Sequence, residues 1–195
     1  MVEFIKGYME QKKKEMDSIN PEDVKQVVNV LFDAWKEGRQ VFIFGNGGSA
    51  STASHFACDL AKGTLQKIYD PNEKRFRVIS LTDNVAVMTA FANDVSYSDI
   101  FSQQLHNLVS EGDVVIAITG SGNSSNIIKG IEMAKRFKAK TIALLGFDGG
   151  KVKELVEHHI LVKSDHYGRI EDCHLMLQHL ISSYLHKKIK EFSAR

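Results

Sequence analysis

Cysteine is scarce in this 195-residue chain. Its two cysteines, Cys58 and Cys173, both fall in helical patterns, so no disulfide framework is expected and a reducing, cytoplasmic setting fits. Proline is equally scarce. Pro21 and Pro71 are the only two, which leaves no proline-rich linker. No apolar stretch approaches the ~20 residues of a membrane span. The opening MVEFIKGYMEQKKK has no signal-peptide core, so no membrane association is expected. Neither sign of charge is in excess. The 25 basic and 24 acidic side chains leave a net charge of +1, which offers nucleic acid no footprint. Lys12-Lys13-Lys14, the only basic block, reads as a solvated helix face. The length suits one domain with a real core.

Two Gly/Ser loops stand out against that background. Residues 41–50 read VFIFGNGGSA and residues 114–125 read VVIAITGSGNSS. Each apolar run is short and β-branched, as a buried parallel strand is. Each loop opens into a helical pattern. Strand, Gly-rich turn and helix start together collect backbone N–H groups around an anion. Ser121, Ser124 and Ser125 add hydroxyls in the second loop, so a phosphorylated small molecule is the ligand class the pair suggests.

Strands are predicted at 41–45, 76–81, 113–119, 140–146 and 158–163. Helical patterns separate them at 49–62, 84–93, 98–110, 125–137 and 150–156, and 169–192 forms a long last helix. Alternating strands and helices imply an α/β fold with a doubly wound, five-stranded parallel sheet. In the flavodoxin-like order 2-1-3-4-5, the switch point lies between the first and third strands, the two that carry the loops. Residues 1–38 read as an N-terminal helical pair before a core over 39–195. Asn20 caps the second of these helices, Pro21 starts it and Gly38 closes it. Its face of Val24, Val27, Val28 and Leu31 has little to bury against if the pair merely flanks the sheet. That face is therefore expected to pack against symmetry mates in a tetramer.

Groups able to do chemistry cluster in two helices. His55 and Asp59, four residues apart, share one face ~40° wide. They suit a metal ligand pair or a base with its orienting group. The last helix carries Glu171, Asp172, His174, Gln178 and His179. Glu171 and His179 lie ~80° apart on the wheel, close enough in angle to converge. Rival motifs fail. Gly45, Gly47 and Ala50 satisfy G-x-G-x-x-A, but the acid expected ~20 residues further on is missing. Neither a G-x-S-x-G elbow nor a P-loop is present.

Five segments, GNGGSASTASHFACDL, FANDVSYSDIF, EGDVVIAITGSGNSSNIIKGIEMAK, LLGFDGGKV and RIEDCHLMLQH, resemble the sugar isomerase (SIS) superfamily. The nearest branch is the phosphoheptose isomerases, and the resemblance runs from about residue 40 to 183. It implies an aldose–ketose isomerase that interconverts sedoheptulose 7-phosphate and D-glycero-D-manno-heptose 7-phosphate, working as a homotetramer. It implies substrate contacts from Asn46, Gly47 and Gly48, from Asn93 and Asp94, and from Thr119, Gly120, Ser121, Ser124 and Glu171. Zinc is implied on His55, Asp59, Glu171 and His179, with Asp59 and His179 as the acid/base pair. Asp59 and Glu171 stand where the family usually has Glu and Gln, and Thr119 and Gly120 where it usually has Ser and Thr. Two alternatives stay open within the resemblance: a non-catalytic phosphosugar-binding or replication-initiator-binding protein, and an isomerase of another sugar phosphate.

Overall fold

A computed structural model describes residues 1–194. Five parallel strands form one sheet: β1 (Gln40–Gly45), β2 (Arg77–Ser80), β3 (Val114–Thr119), β4 (Lys140–Gly146) and β5 (His158–Val162). Their order is β2-β1-β3-β4-β5, the doubly wound arrangement read from the sequence. The apolar runs alternate across it. Val41 and Ile43 face one core, and Phe42 and Phe44 the other. The first core is covered by α2 (Pro21–Glu37), α3 (Gly48–Cys58) and α8 (Tyr167–Ser193), the second by α5 (Ile100–Leu108), α6 (Ser125–Arg136) and α7 (Gly150–Leu155). A further helix, α4 (Val85–Asp94), lies beside α5.

Three differences from the sequence reading matter. First, α2 is capped as expected, with the Asn20 side chain accepting from Glu22 N–H and Gly38 in the left-handed region. Its apolar face, however, is largely covered within this chain, with only Val24 and Val28 reaching the edge of a groove against α8. Val24, Val27, Val28 and Leu31 are buried in this chain's own core with Ile181 and Leu185 of α8 and Ile160 of β5. The argument from that face to a tetramer is therefore corrected: α8 covers what the sheet alone would have left open. Second, the helix expected over 49–62 is α3 followed by a π-helical turn at Asp59–Gly63. Third, the helix expected over 98–110 starts as a 3₁₀ turn, Tyr97–Asp99, before α5.

The first helix, α1 (Val2–Asp17), is docked mainly by charge. Arg169 Nε lies 2.8 Å and 3.1 Å from the two oxygens of Glu15, and Lys12 Nζ lies 2.9 Å from Asp172. Phe4, Ile5 and Met9 stay exposed on it. Both cysteines are free thiols, and among the described residues no helix is long and apolar enough to cross a membrane.

Candidate active site

The two Gly/Ser loops meet at the carboxyl ends of β1 and β3, which pair through Gly45 and Ile118. A cavity of about 130 Å³ there is lined by Asn46, Ser49, Ile118, Thr119, Gly120, Ser121, Ser124, Tyr167 and Glu171. Its second loop is held from below by the turn after β4. Gly146 N–H donates to Gly120 O at 2.9 Å, Val152 N–H to Gly122 O at 3.0 Å and Lys151 N–H to the Asn123 side chain at 3.2 Å. Gly122 has a φ of +62°, and a Cβ there would lie 1.9 Å from Gly149 O. Only glycine fits. Thr119 Oγ1 is occupied inside the loop, accepting from Gly122 N–H at 3.2 Å. Ser124 sits at the N-cap of α6, yet its side chain caps nothing, so its hydroxyl stays available. Ile127 N–H in the first turn of α6 is taken by the Asn126 side chain at 2.9 Å, which leaves the Ser125 and Asn126 amides without a backbone partner in the helix, at the end where an anion is stabilised.

A reciprocal amide pair ties the loops together. Asn46 Nδ2 donates to Asn126 Oδ1 at 2.9 Å, and Asn126 Nδ2 donates back to Asn46 Oδ1 at 2.8 Å. Asn126 is buried. Tyr97 adds its hydroxyl, which donates to Asn46 Oδ1 at 3.2 Å. The 3₁₀ turn that carries Tyr97 is pinned by Lys129 of α6, whose Nζ lies 2.9 Å and 3.0 Å from the Asp99 oxygens. That ammonium, with the Ser96 and Ser98 hydroxyls, holds the Asp99 pKa down at about 2.

Further along α3, His55, Asp59 and His179 converge. His55 Nε2 lies 3.7 Å from Asp59 Oδ1, His179 Nε2 lies 3.6 Å from Asp59 Oδ2, and the two Nε2 atoms lie 3.4 Å apart. Asp59 opens the π-helical turn; such turns often mark functional positions. Gln178, fully buried next to His179, places Nε2 3.5 Å from Asp59 Oδ2. Tetrahedral zinc with bonds of about 2.0–2.1 Å has ligand atoms about 3.3 Å apart. Two imidazole nitrogens and one carboxylate oxygen, all within 4.8 Å of one another, are a donor set that small side-chain shifts bring to that spacing.

Glu171 does not join this cluster, although four converging ligands were expected. Its carboxylate lies at the amino end of α3, where a Cβ on Gly48 would meet Glu171 Oε2 at 2.7 Å. The reason is axial. Eight residues of helix rise about 12 Å, so a small angle on the wheel does not bring Glu171 level with His179. Glu171 faces the loop cavity instead, with the α3 dipole favouring its charge. Asn93 and Asp94 are also apart, exposed at the end of α4 and hydrogen-bonded to each other at 2.7 Å. Gly47, in the left-handed φ region at +56°, forms the N-cap of α3.

The SIS domain family model matches residues 5–146 of this chain. The chain belongs to the SIS domain family. Within it, the chain is 38% identical to the phosphoheptose isomerase of Helicobacter pylori strain P12 over 179 residues, covering 92% of this chain and 90% of that one. It is 36% identical to the probable phosphoheptose isomerase of Thermoplasma acidophilum over 183 residues, with 94% and 98% covered. The phosphoheptose isomerase structure from Francisella tularensis superposes with a TM-score of 0.86 at 29% identity, covering 95% of this chain and 98% of that chain.

Two residues of this SIS domain escaped the sequence reading because nothing local announces them. Asn126 and Tyr167 matter through partners 80 and 47 residues away, Asn46 and Gly120. His174 belongs to neither half of the site. Its ring is fully buried, Nε2 lies 3.1 Å from Leu145 O, and Nδ1 has no partner. Burial holds its pKa down at about 4, with the Leu145 carbonyl opposing. The folded protein keeps this imidazole neutral while the unfolded chain takes up a proton below its ordinary 6.5. Stability should therefore be full above about pH 6.5 and fall toward pH 4, by at most about 3 kcal/mol from this group. Urea denaturation at pH 7 and pH 4.5 measures the loss, and His174→Gln should flatten it. An unchanged pH slope in that variant would assign the acid sensitivity elsewhere.

Proposed function

We propose that this protein is an aldose–ketose isomerase that interconverts sedoheptulose 7-phosphate and D-glycero-D-manno-heptose 7-phosphate. The observation that carries this reading is the pairing of a preformed anion loop with a separate His/Asp/His cluster on one side of the sheet. The phosphoheptose isomerase relatives supply the substrate class. The two halves are served by one helix, α8, whose Glu171 and His179 are about 12 Å apart along its axis. An extended seven-carbon phosphate is of comparable length.

The phosphate would rest on Ser121, Ser124 and the first amides of α6. Binding energy gained there positions carbons that do not touch the loop. One of Asp59 and His179 takes a proton from the carbon beside the carbonyl, leaving an enediol, and the proton returns to the former carbonyl carbon. The other moves the hydroxyl proton between the two oxygens. Gln178 steadies Asp59 from the buried side, and Glu171 meets the sugar hydroxyls between the two halves. His55, Asp59 and His179 would hold zinc, which supplies positive charge beside the carbonyl oxygen when bound. The same cluster favours an enzyme over a non-catalytic binding protein, because a binder has no use for facing proton-transfer groups.

Proton NMR of the protein with sedoheptulose 7-phosphate should show the aldose phosphate appear. Turnover of pentose or hexose phosphates alone would redirect the substrate assignment. In the same assay, Ser121→Ala and Ser124→Ala should each weaken sugar phosphate binding by about 1–3 kcal/mol. Unchanged calorimetric affinity in both would move the phosphate off this loop.

We also propose a homotetramer, now on different grounds. Phe4, Ile5 and Met9 are exposed on α1. An apolar groove of about 540 Å³ runs between α2 and α8, lined by Met16, Ile19, Val28, Met176, Leu180 and Tyr184 among others. Copies of the same chain are the natural cover for a face this apolar. Light scattering at micromolar concentration should give four times the 21.9 kDa chain mass; a value equal to one chain rules assembly out. A cytoplasmic location suits two free thiols.

A further inference from the structure

We infer that Tyr167 is a substrate-contacting residue, the wall of the phosphate cavity against which the phosphate-proximal carbons of the sugar lie. The inference deepens the isomerase reading and rests on it.

Three observations carry it. Gly120, in the phosphate loop, has no side chain of its own, and the Tyr167 ring occupies the space one would need. A Cβ on Gly120 would lie 3.0 Å from Tyr167 Cε1 and 3.1 Å from Cδ1. The ring is fixed from a second side by Phe147, edge to face, with centroids 4.8 Å apart at 71°. Phe147 holds that position with a φ of +49°, in the left-handed region, where a bulky residue is uncommon. Despite both contacts Tyr167 remains 57% exposed, and it lines the same cavity as Ser121, Ser124 and Glu171. A ring packed on two sides and open to the cavity is a surface rather than a core element.

Helical spacing strengthens the case. Tyr167 is the first residue of α8 and Glu171 follows one turn later, so the two share a face. That face offers an aromatic surface and a carboxylate to one ligand. Tyrosine presents an apolar body with a polar tip, which suits a polyol chain: the C–H groups lie on the ring while the phenol stays wet. The phosphate itself has no need of the ring, since hydroxyls and amides already surround it.

The test separates sugar from phosphate. KM for sedoheptulose 7-phosphate and the inhibition constant of inorganic phosphate are measured for the intact chain and for Tyr167→Ala, Gly120→Ala and the double variant. Tyr167→Ala should raise KM at least tenfold, with a much smaller effect on kcat, and shift the phosphate constant by less than about twofold. Gly120→Ala should also raise KM, because its methyl displaces the ring. Once the ring is gone the methyl meets only Ile170 Cγ2 at 3.9 Å, an ordinary contact, so the double variant should be no worse than Tyr167→Ala. An unchanged KM overturns the inference. So do additive single effects, or a phosphate constant that moves in step with KM, which would make the ring a prop for the loop. If the intact chain turns over no sedoheptulose 7-phosphate, the isomerase reading has failed by itself. Calorimetric binding of that sugar phosphate then replaces KM in the same comparison.

Discussion

His179→Ala should lower turnover of sedoheptulose 7-phosphate by about 10²–10⁴-fold, the usual worth of a general acid or base. Among the described residues the imidazole converges with His55 and Asp59 beyond the loop cavity, and it is half exposed, so its removal leaves no buried void. Melting temperature should therefore change little while kcat collapses. His179 Nε2 faces both His55 and Asp59, so the proposed mechanism gives it a metal-holding as well as a proton-transfer role. The two roles separate by experiment. Chelation should lower the activity of the intact protein and added zinc restore it, whereas zinc should not rescue His179→Ala. Metal content by elemental analysis, read beside activity, completes the comparison. Full activity of metal-free protein would remove zinc from the reaction and leave the proton-transfer role standing. Full activity of His179→Ala would remove that role.

Gly122→Ala should be the most damaging single methyl in the phosphate loop. The added Cβ would lie 1.9 Å from the Gly149 carbonyl oxygen, on a residue whose φ is +62°. The neighbour is backbone and cannot rotate away, so the turn after β4 has to shift. Left-handed strain and that displacement together should destabilise the fold by about 2–4 kcal/mol. Loop and turn are joined by Gly146 N–H to Gly120 O and Val152 N–H to Gly122 O, so phosphate affinity should fall with stability. Urea denaturation and phosphate titration of one preparation check both. Wild-type stability with wild-type affinity would mean the turn yields at no cost.

The strands and the switch point were legible because burial on both faces writes itself as short apolar runs, as in Val41–Phe44 and Val114–Ile118. The Gly/Ser loops were legible for the opposite reason, since few other sequences place amides and hydroxyls at a strand end. His55 and Asp59 could be paired because they sit four apart on one helix. What stayed hidden depends on depth or distance. The sequence points the face of α2 at partner copies because the sheet is the only cover it announces, and the return of α8 has no local mark. The helical wheel brings Glu171 toward His179 in angle but hides the rise of about 12 Å between them. The π-helical turn at Asp59–Gly63 carries the unremarkable sequence DLAKG, and its extra residue shows only in the backbone. Tyr167 replaces a side chain that Gly120 lacks, a relation visible only in three dimensions.

The Asn46–Asn126 pair has a consequence for how the site behaves before any ligand arrives. Each amide both gives and receives, so the two loops cannot drift apart without losing two bonds together. The gap between strand ends thus becomes a stiff coordinate instead of a soft one. A sugar phosphate entering it meets a mould already set, and little of its binding energy goes into ordering the chain. Association should then be a single fast phase, with any slower motion confined to Tyr97, which touches the clasp from outside through one hydroxyl.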